Sequence, residues 1–287
     1  MANYHIITDS CCDLTQELIR KLDITVVPLN MLFQGKVRMD SVGEDIKEVY
    51  QALRQGEAAS TSAANPDHWT NYIEPVLKAG EDVLVLAFSS GLSTTYQSAV
   101  IAATDLGEKY PERKIRVVDT LCASLGEGLL VHYACQKRDE GMDLDTLAKW
   151  VEDNRLNLCH WFTVDDLMYL KRGGRVSAAT ALVGTVLQIK PVLHVDNEGH
   201  LINVSKARGR KASIEMLAKK MGETQFPGKN DYVMICHGDC IEDAQYLSKL
   251  VKERFGVKEV FIGYTGAVIG SHSGPGTLAL FYLGEHR

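Results

Sequence analysis

The hydrophobic pattern of the first half alternates between short apolar runs and longer segments with helical spacing. A strand is predicted at Tyr4–Thr8, and the continuous apolar run Val83–Phe88 is typical of a parallel strand covered on both faces. A further strand is predicted at Ile115–Val118. Helices are predicted after these last two strands, over about residues 93–106 and then through Glu140. This alternation predicts a three-layer α/β domain built on a parallel sheet.

Local signals refine the start of the chain. Asp13 is predicted to cap a helix, with Gln16 in the reciprocal position. Residues 24–33 have a strand pattern that Pro28 restricts to an edge or an irregular stretch. The small, polar residues 56–65 are predicted to form a loop.

The pattern of the second half favours antiparallel pairing. Asn197-Glu198-Gly199 separates two β-type runs, which predicts a hairpin. Further strands are predicted at 232–236 and 260–264, on either side of a helical segment. We therefore expect a parallel α/β domain over residues 1–157 and an α/β domain with a mixed, partly antiparallel sheet over residues 158–287.

Composition narrows the classes of function. The 287 residues are 45% hydrophobic and 24% charged, which is typical of a globular protein with a substantial core. The net charge of −6 argues against nucleic acid as a partner, because phosphate binding needs a basic surface. No apolar run approaches the roughly 20 residues that span a bilayer, so stable membrane insertion is not expected.

Cysteine usage bears on the compartment. The chain has seven cysteines, an odd number, and its beginning has neither a basic nor an apolar segment of the secretory type. Reduced thiols in the cytoplasm fit these features better than a disulfide framework. A cytoplasmic location and a monomeric state are the expectations.

One junction between a strand and a helix has the chemistry of an anion site. Ser93 and Thr94 follow the buried run that ends at Phe88, and they stand where a helix is predicted to begin. Free N–H groups and the helix dipole favour phosphate or carboxylate there, and the hydroxyls add neutral donors. Plain helix capping explains the same residues equally well.

Other hydroxyl groups could converge on the same crevice. Thr61 and Ser62 lie in the predicted loop before a helix, and Thr8 and Thr120 lie at the ends of two predicted strands. Each of these residues is also an ordinary turn residue, so no single one is diagnostic.

Two glycine-rich segments carry candidate site residues. Three glycines and a proline surround His272, and this constrained loop favours a role in a site, such as donation to a carboxylate. Arg175 follows a glycine pair at a helix end, where it can neutralise the helix dipole or bind an anion. The apolar stretch Val176–Ile189 predicts a buried helix, either plain core or the wall of a pocket.

A basic cluster and a possible metal motif complete the candidates. Lys206, Arg208 and Arg210 concentrate positive charge in an acidic protein, either at a solvated helix start or as a docking site for an acidic partner. The segment Cys236–Cys240 contains metal-ligand residue types, but its spacing matches no standard zinc pattern. No metal site is predicted.

These segments, in their order and spacing, resemble the DegV family of fatty-acid-binding proteins over essentially the whole chain. The motifs that carry the resemblance are TDSCCDL at 8–14, SSGLSTTYQSA at 89–99, YLKRGGRVS at 169–177 and SHSGPGTL at 271–278. The chain departs from the usual family pattern at Cys11-Cys12, at Ala63-Ala64 and at Thr94. These departures bear on ligand preference and loop geometry.

The resemblance implies a function without catalysis by this chain alone. A long-chain fatty acid such as palmitate or oleate would lie in a buried pocket. Its carboxylate would be held by Thr61 or Ser62 and by Ser93, with His272 and Arg175 nearby. A separate ATP-dependent fatty acid kinase would phosphorylate that carboxylate, and the cluster at residues 206–210 would be its docking surface. The resemblance implies no cofactor.

Two other classes of function remain open. A serine hydrolase could use Ser93, although the sequence has no GxSxG motif, and a kinase-like activity would lack a Walker-type loop. A structural or regulatory module whose lipid is incidental is the second alternative.

Overall fold

The computed structural model describes residues 4–40, 43, 45–177 and 188–287. Most of the apolar helix predicted over Val176–Ile189 lies outside these residues, and Ile189 itself begins a strand.

The first half contains a parallel sheet of four strands in the order β2-β1-β6-β7. Its strands are β1 (Tyr4–Asp9), β2 (Ile24–Val27), β6 (Asp82–Ala87) and β7 (Ile115–Asp119). The helices of this half are α1 (Gln16–Leu22), α2 (Ile46–Arg54), α3 (Pro66–Lys78), α4 (Thr95–Lys109), α5 (Leu125–Asp139) and α6 (Leu144–Asn154). Apolar residues of α3 and α4 cover one face and those of α5 and α6 the other, as predicted for a three-layer domain.

A second, small sheet was not predicted. The strands β3 (Asn30–Phe33), β4 (Lys36–Met39) and β5 (Ala59–Ser62) form an antiparallel sheet in the order β4-β3-β5. The strand predicted over 24–33, which Pro28 was expected to restrict to an edge or an irregular stretch, is divided at Pro28 into β2, at the edge of the parallel sheet, and β3, in the small sheet. The loop predicted over 56–65 is wrong in part, because Ala59–Ser62 pairs with β3.

The predicted helix cap at Asp13 is wrong as well. Thr15 caps α1, and its hydroxyl accepts from the N–H of Leu18 at 3.4 Å. Asp13 has a left-handed backbone conformation and points into the interior, where the Ser124 hydroxyl donates to its carboxyl group. The carboxyl group of Asp13 thus belongs to the core of the protein.

The second half is built on a mixed sheet of six strands in the order β10-β9-β8-β13-β11-β12. Its strands are β8 (Leu158–Thr163), β9 (Ile189–Val195), β10 (Leu201–Arg208), β11 (Tyr232–His237), β12 (Glu259–Tyr264) and β13 (Leu278–Leu283). Its helices are α7 (Met168–Arg172), α8 (Arg210–Thr224), α9 (Ile241–Phe255) and α10 (Ala267–Ser273). Only β11 and β12 pair in parallel, and the predicted hairpin joins β9 to β10.

Two helices link the two halves. α5 is buried over most of its length and packs against the parallel sheet and against strands β8, β11 and β13 of the mixed sheet. α10 belongs to the second half of the sequence but packs on α2, β3 and β5 of the first half. The boundary at residues 157 and 158 therefore remains a prediction, and the space between the sheets is enclosed by both halves.

Candidate functional site

A cavity of about 260 Å³ lies between the two halves. Most of its wall is apolar, and the bulky side chains that line it come from both halves of the chain. Among them are Leu29, Phe88, Phe162, Val195, Leu201 and Phe281. Such a wall suits a hydrocarbon chain, because burial of apolar surface is favourable and needs no specific geometry.

Four buried polar side chains, here called the floor cluster, also line the cavity: Ser124, His160, Cys236 and Thr265. Their hydrogen bonds go to neighbouring protein groups. The Ser124 hydroxyl contacts Asp13 and also Cys236 Sγ at 3.3 Å, and the Thr265 hydroxyl donates to the same sulfur at 3.1 Å. These pairings leave the floor cluster poorly suited to bind a charged group.

His160 shows why the floor is electrically neutral. Its Nδ1 lies 2.9 Å from the carbonyl oxygen of Leu158, and the N–H of Ala123 donates to its Nε2 at 3.3 Å. Burial lowers the pKa of His160 well below its usual value, so the ring is uncharged near neutral pH. Gly126 leaves room for this ring, since a Cβ there would collide with Nε2.

Five partly or fully exposed residues form a second group, the mouth cluster: Thr61, Ser93, Thr94, Arg175 and His272. All five were predicted as ligand-binding residues from the sequence, and all five line the cavity. Ala63, one of the departures from the family pattern, lines it as well.

The centre of the mouth cluster is a pair of side chains from distant parts of the chain. The hydroxyl of Thr61 lies 2.7 Å from Nε2 of His272. Burial, and then the charge of Arg175, lower the pKa of His272 to about 4, so the ring is neutral near pH 7. The pair holds two polar hydrogens and uses one in its mutual bond, which leaves one to donate to a ligand.

Local structure explains how this pair forms. Thr61 lies on β5, where alternate residues point to opposite faces, so Thr61 faces the cavity. Ser62 is exposed on the other face of β5 and does not line the cavity. His272 packs so closely on Gly173 that a Cβ there would come within 2.2 Å of Nδ1. Gly173, the first glycine of the pair before Arg175, therefore makes room for the imidazole.

Arg175 supplies positive charge beside this pair. Its Nε donates to the carbonyl oxygen of Leu92 at 3.2 Å, and Nη1 donates to the carbonyl oxygen of Gly173. Burial lowers the pKa of the guanidinium, which reflects the cost of holding its charge away from water. A bound carboxylate beside Arg175 would offset that cost.

Ser93 and Thr94 lie at the start of α4. The Ser93 hydroxyl is 2.8 Å from the Thr95 hydroxyl and accepts from the Thr95 N–H at 3.2 Å. Thr94 is the N-cap residue, and its side chain makes no capping hydrogen bond. Helix capping, the alternative to an anion site, therefore explains the Ser93 hydroxyl in part. It does not explain the side chain of Thr94.

The hydroxyls at the other strand ends serve the fold instead. Thr8 donates to Glu127 at 2.8 Å, and Thr120 donates to the carbonyl oxygen of Ala87 at 2.8 Å. Both residues are fully buried and neither lines the cavity. Of the hydroxyl groups considered in the sequence, those at positions 61, 93 and 94 face the cavity.

The basic cluster divides into two parts. Lys206 and Arg208 are exposed on β10, the edge strand of the mixed sheet. Arg210 begins α8, and its Nε lies 2.8 Å from the carboxylate of Asp243. Lys206 and Arg208 thus carry the more accessible charge, and they stand on a strand rather than at a helix start.

The side chains between Cys236 and Cys240 are engaged elsewhere. Nδ1 of His237 accepts from the N–H of Cys240 at 3.2 Å, and the His237 ring packs on Tyr264. Over the described ranges 4–40, 43, 45–177 and 188–287, no group of three or more histidine, cysteine or acidic residues is arranged to hold a metal ion. Within the same ranges, no helix has the length and apolarity to cross a bilayer.

Sequence reasoning missed the floor cluster and the acidic groups behind it. Burial raises the pKa of Asp9 to about 7, and it raises the pKa of Asp13 and of Glu127 well above their usual values. The sequence did contain one indication that Ser124 belongs to the site, because Ser124 lies between the end of a strand at Asp119 and the start of a helix. Its positive φ of 55° and its contact with Asp13 depend on tertiary structure.

The chain is similar to known proteins in both sequence and structure. The sequence profile of the DegV family matches residues 3–285. A DegV domain-containing protein of Clostridium perfringens is 43% identical over 289 aligned positions, which cover 100% of this chain and 99% of the relative.

Two solved structures are informative. A DegV family protein from Thermus thermophilus, described as binding fatty acid, matches with a TM-score of 0.87 and 32% identity, covering 98% of this chain and 99% of the other. The fatty acid kinase B3 protein of Streptococcus pneumoniae, loaded with linoleic acid, matches with a TM-score of 0.84 and 23% identity, covering 99% and 100%. At 23% identity, the match to the Streptococcus pneumoniae protein is evidence for a shared fold alone.

Proposed function

The chain belongs to the DegV family, and from that premise we propose that it binds a long-chain fatty acid, carboxyl group at the mouth cluster and tail in the apolar cavity. The observation that carries the proposal is the pair of Thr61 and His272, joined over 2.7 Å at one part of a cavity whose wall is mostly apolar. The fatty-acid-binding relative from Thermus thermophilus supports the same ligand class.

The head group would be held by neutral donors with one positive charge nearby. The spare hydrogen of the Thr61–His272 pair donates to one carboxylate oxygen, and Ser93 or Thr94 can donate to the other. Arg175 stabilises the negative charge from the side of α7. Because hydrogen bonds to charged groups contribute about 1.5–3 kcal/mol each, two or three of them suffice to select a carboxylate.

The tail would supply most of the affinity. A saturated tail of about 14 methylenes, at roughly 0.8 kcal/mol each, has a transfer free energy of about 11 kcal/mol. Association and ordering offset several kcal/mol of this amount. The floor cluster is neutral and internally bonded, so it accepts the end of a hydrocarbon chain without leaving a polar group unpaired.

We further propose that this protein presents the bound acid to an ATP-dependent fatty acid kinase. Thr94 is exposed and lines the cavity, which gives a partner a route to the carboxylate. The exposed Lys206 and Arg208 are our candidates for docking of an acidic partner surface. All seven cysteines are free, which suits the reducing cytoplasm as the site of action.

A hydrolase is the weaker alternative. Within the described part of the chain, the Ser93 hydroxyl bonds to Thr95 and makes no hydrogen bond to a histidine or carboxylate that could serve as a base. His272 is neutral but contacts Thr61 instead. We therefore propose a binding role, without chemistry by this chain alone and without a cofactor.

The test is mass spectrometry of lipid extracted from denatured protein. Wild-type protein is expected to release about one long-chain fatty acid per chain, and a Thr61→Ala, Ser93→Ala variant is expected to release much less. Ser62→Ala is the matched control, because it removes a neighbouring hydroxyl from the outer face of the same strand. Empty wild-type protein that also fails to bind added fatty acid would overturn the proposal.

A further inference from the structure

The helix that carries His272 has no capping side chain of its own. α10 follows Gly266, which has extended backbone angles and no side chain to offer. The first N–H groups of a helix have no partner within the helix, so buried ones must be satisfied from elsewhere. The groups that satisfy them identify what holds α10 in place.

A carboxyl group from the first half of the chain meets this helix start. The N–H of Val268 donates to Oδ1 of Asp40 at 3.0 Å. Asp40 is 5% exposed, so this bond is shielded from water. Negative or polar oxygen at a helix N-terminus also complements the helix dipole.

The body of α10 is packed too tightly to shift independently of its ends. Tyr50 donates to the carbonyl oxygen of Thr265 at 2.8 Å, and a Cβ on Gly270 would come within 2.4 Å of the same hydroxyl. His272 lies four residues beyond Val268, which is about 6 Å along a helix axis. The position of the first turn therefore fixes the position of the imidazole.

We propose that Asp40 is a positioning residue that holds α10 across the two halves of the chain and thereby places His272 against Thr61 for recognition of the carboxylate. This inference rests on the proposed function. It adds that recognition of the head group depends on a buried residue that does not line the cavity.

The experiment compares two ligands with the same tail. Palmitate and 1-hexadecanol are titrated into delipidated wild-type protein, Asp40→Ala and Asp40→Asn. Asp40→Ala is expected to lower the ratio of palmitate to hexadecanol affinity at least fivefold, with hexadecanol affinity changed less than twofold. Asp40→Asn keeps an oxygen acceptor for Val268 and is expected to restore the ratio to within twofold of wild type.

Controls separate positioning from general destabilisation. Glu127→Ala removes another fully buried acid, one that accepts from Thr8 instead of from α10, and is expected to leave the ratio unchanged. In a double-mutant cycle, Asp40→Ala is expected to have little further effect on the ratio once His272 is replaced by alanine. The inference would be overturned if Asp40→Ala lowered the affinities for palmitate and hexadecanol equally. It would also be overturned if the effects of Asp40→Ala and His272→Ala on the affinity ratio were additive.

A second measurement does not depend on lipid binding. The ring nitrogens of His272 are followed by ¹⁵N NMR, with His272→Gln identifying the signal. Asp40→Ala is expected to shift these resonances, and Asp40→Asn and Glu127→Ala are expected to leave them in place. Unshifted resonances in folded Asp40→Ala would contradict positioning, whereas wild-type protein that binds neither ligand would instead overturn the proposed function.

Discussion

The mouth cluster and the floor cluster contain similar side chains but use them differently. At the floor, the hydroxyls of Ser124 and Thr265 are taken up by Asp13 and by Cys236 Sγ. At the mouth, Thr61 and His272 bond to each other and keep one hydrogen for a further acceptor. Hydroxyl and imidazole groups thus form either an inert wall or a binding site, depending on what already satisfies them.

The two clusters also differ in charge. Histidines at both places are neutral near pH 7, because burial lowers the pKa of His160 and of His272. A guanidinium lies near each ring, since Arg287 lowers the pKa of His160 further and Arg175 lowers that of His272 further. The difference is that Arg175 lines the cavity, whereas Arg287 does not and donates to the carbonyl oxygens of Leu158, Asp196 and Arg155. An anion is therefore favoured at one part of the cavity and disfavoured at the other.

The largest effect should come from the mouth. Replacing both Thr61 with valine and His272 with alanine removes the donor pair while leaving the apolar wall in place. We expect about a 10- to 100-fold loss of palmitate affinity, equivalent to about 1.5–3 kcal/mol for a lost hydrogen bond to a charged group. Isothermal titration calorimetry measures the loss, and unchanged affinity would show that the pair does not contact the carboxylate.

A change in the apolar wall should alter chain length instead. Ala279 lies on β13 and lines the cavity, so Ala279→Leu fills part of the space for the tail. Each methylene that no longer fits costs about 0.8 kcal/mol, so the variant should prefer acids shorter by one to three carbons. Competition between a C12 and a C16 acid measures this shift. Loss of binding to both acids alike would indicate distortion of the mouth.

The neutral His272 predicts a dependence of stability on pH. Its pKa of about 4 in the folded protein lies below the value of 6.5 in the unfolded chain, so between these values the unfolded state binds more protons. Stability should therefore fall as pH falls from 6.5 to 4, by at most about 3 kcal/mol from this residue.

Asp9 changes the free energy of unfolding in the opposite direction. Its pKa of about 7 in the folded protein lies above its usual value, so its contribution to stability rises as pH falls through 7. The contribution of His272 to stability is therefore obtained as the difference in unfolding free energy between wild type and a variant that lacks this histidine. Denaturant unfolding of wild type and His272→Gln at several pH values isolates it, and the variant should lose less stability on acidification. Parallel curves would show that His272 titrates normally in the folded state.

The smallest effect is expected at Ser62. It is exposed on the face of β5 opposite to Thr61, so Ser62→Ala should change palmitate affinity less than twofold. The same titration applies, and a loss as large as that of Thr61→Ala would mean that the ligand reaches the outer face of the small sheet.

The sequence predicted those features of the fold that depend on local pattern. The apolar runs at 83–88 and 115–118 became parallel strands, and Asn197-Glu198-Gly199 became a hairpin turn. Strand β5 was missed because Ala-Ser-Thr-Ser is small and polar, and its conformation is set by pairing with β3. Asp13 was misassigned because its partner, Ser124, is supplied by tertiary contact.

The site could be predicted only with the help of the resemblance. Thr61 and His272 are 211 positions apart, and no periodicity or spacing indicates that they meet. Ser93 and Thr94 carried a local signal, which is their position after a buried strand. The roles of Gly173 and Asp40 needed the structure, because a close approach and a distant cap leave no pattern in a single sequence.

The orientation of the ligand is the central claim, and one measurement tests it most directly. Palmitate labelled with ¹³C at the carboxyl carbon is bound to wild-type protein, Thr61→Val and Ser124→Ala, and its NMR signal is compared. If the carboxylate lies at the mouth, its resonance shifts in Thr61→Val and stays in place in Ser124→Ala. A resonance that shifts in Ser124→Ala and stays in place in Thr61→Val would place the carboxylate at the floor and contradict the proposed orientation.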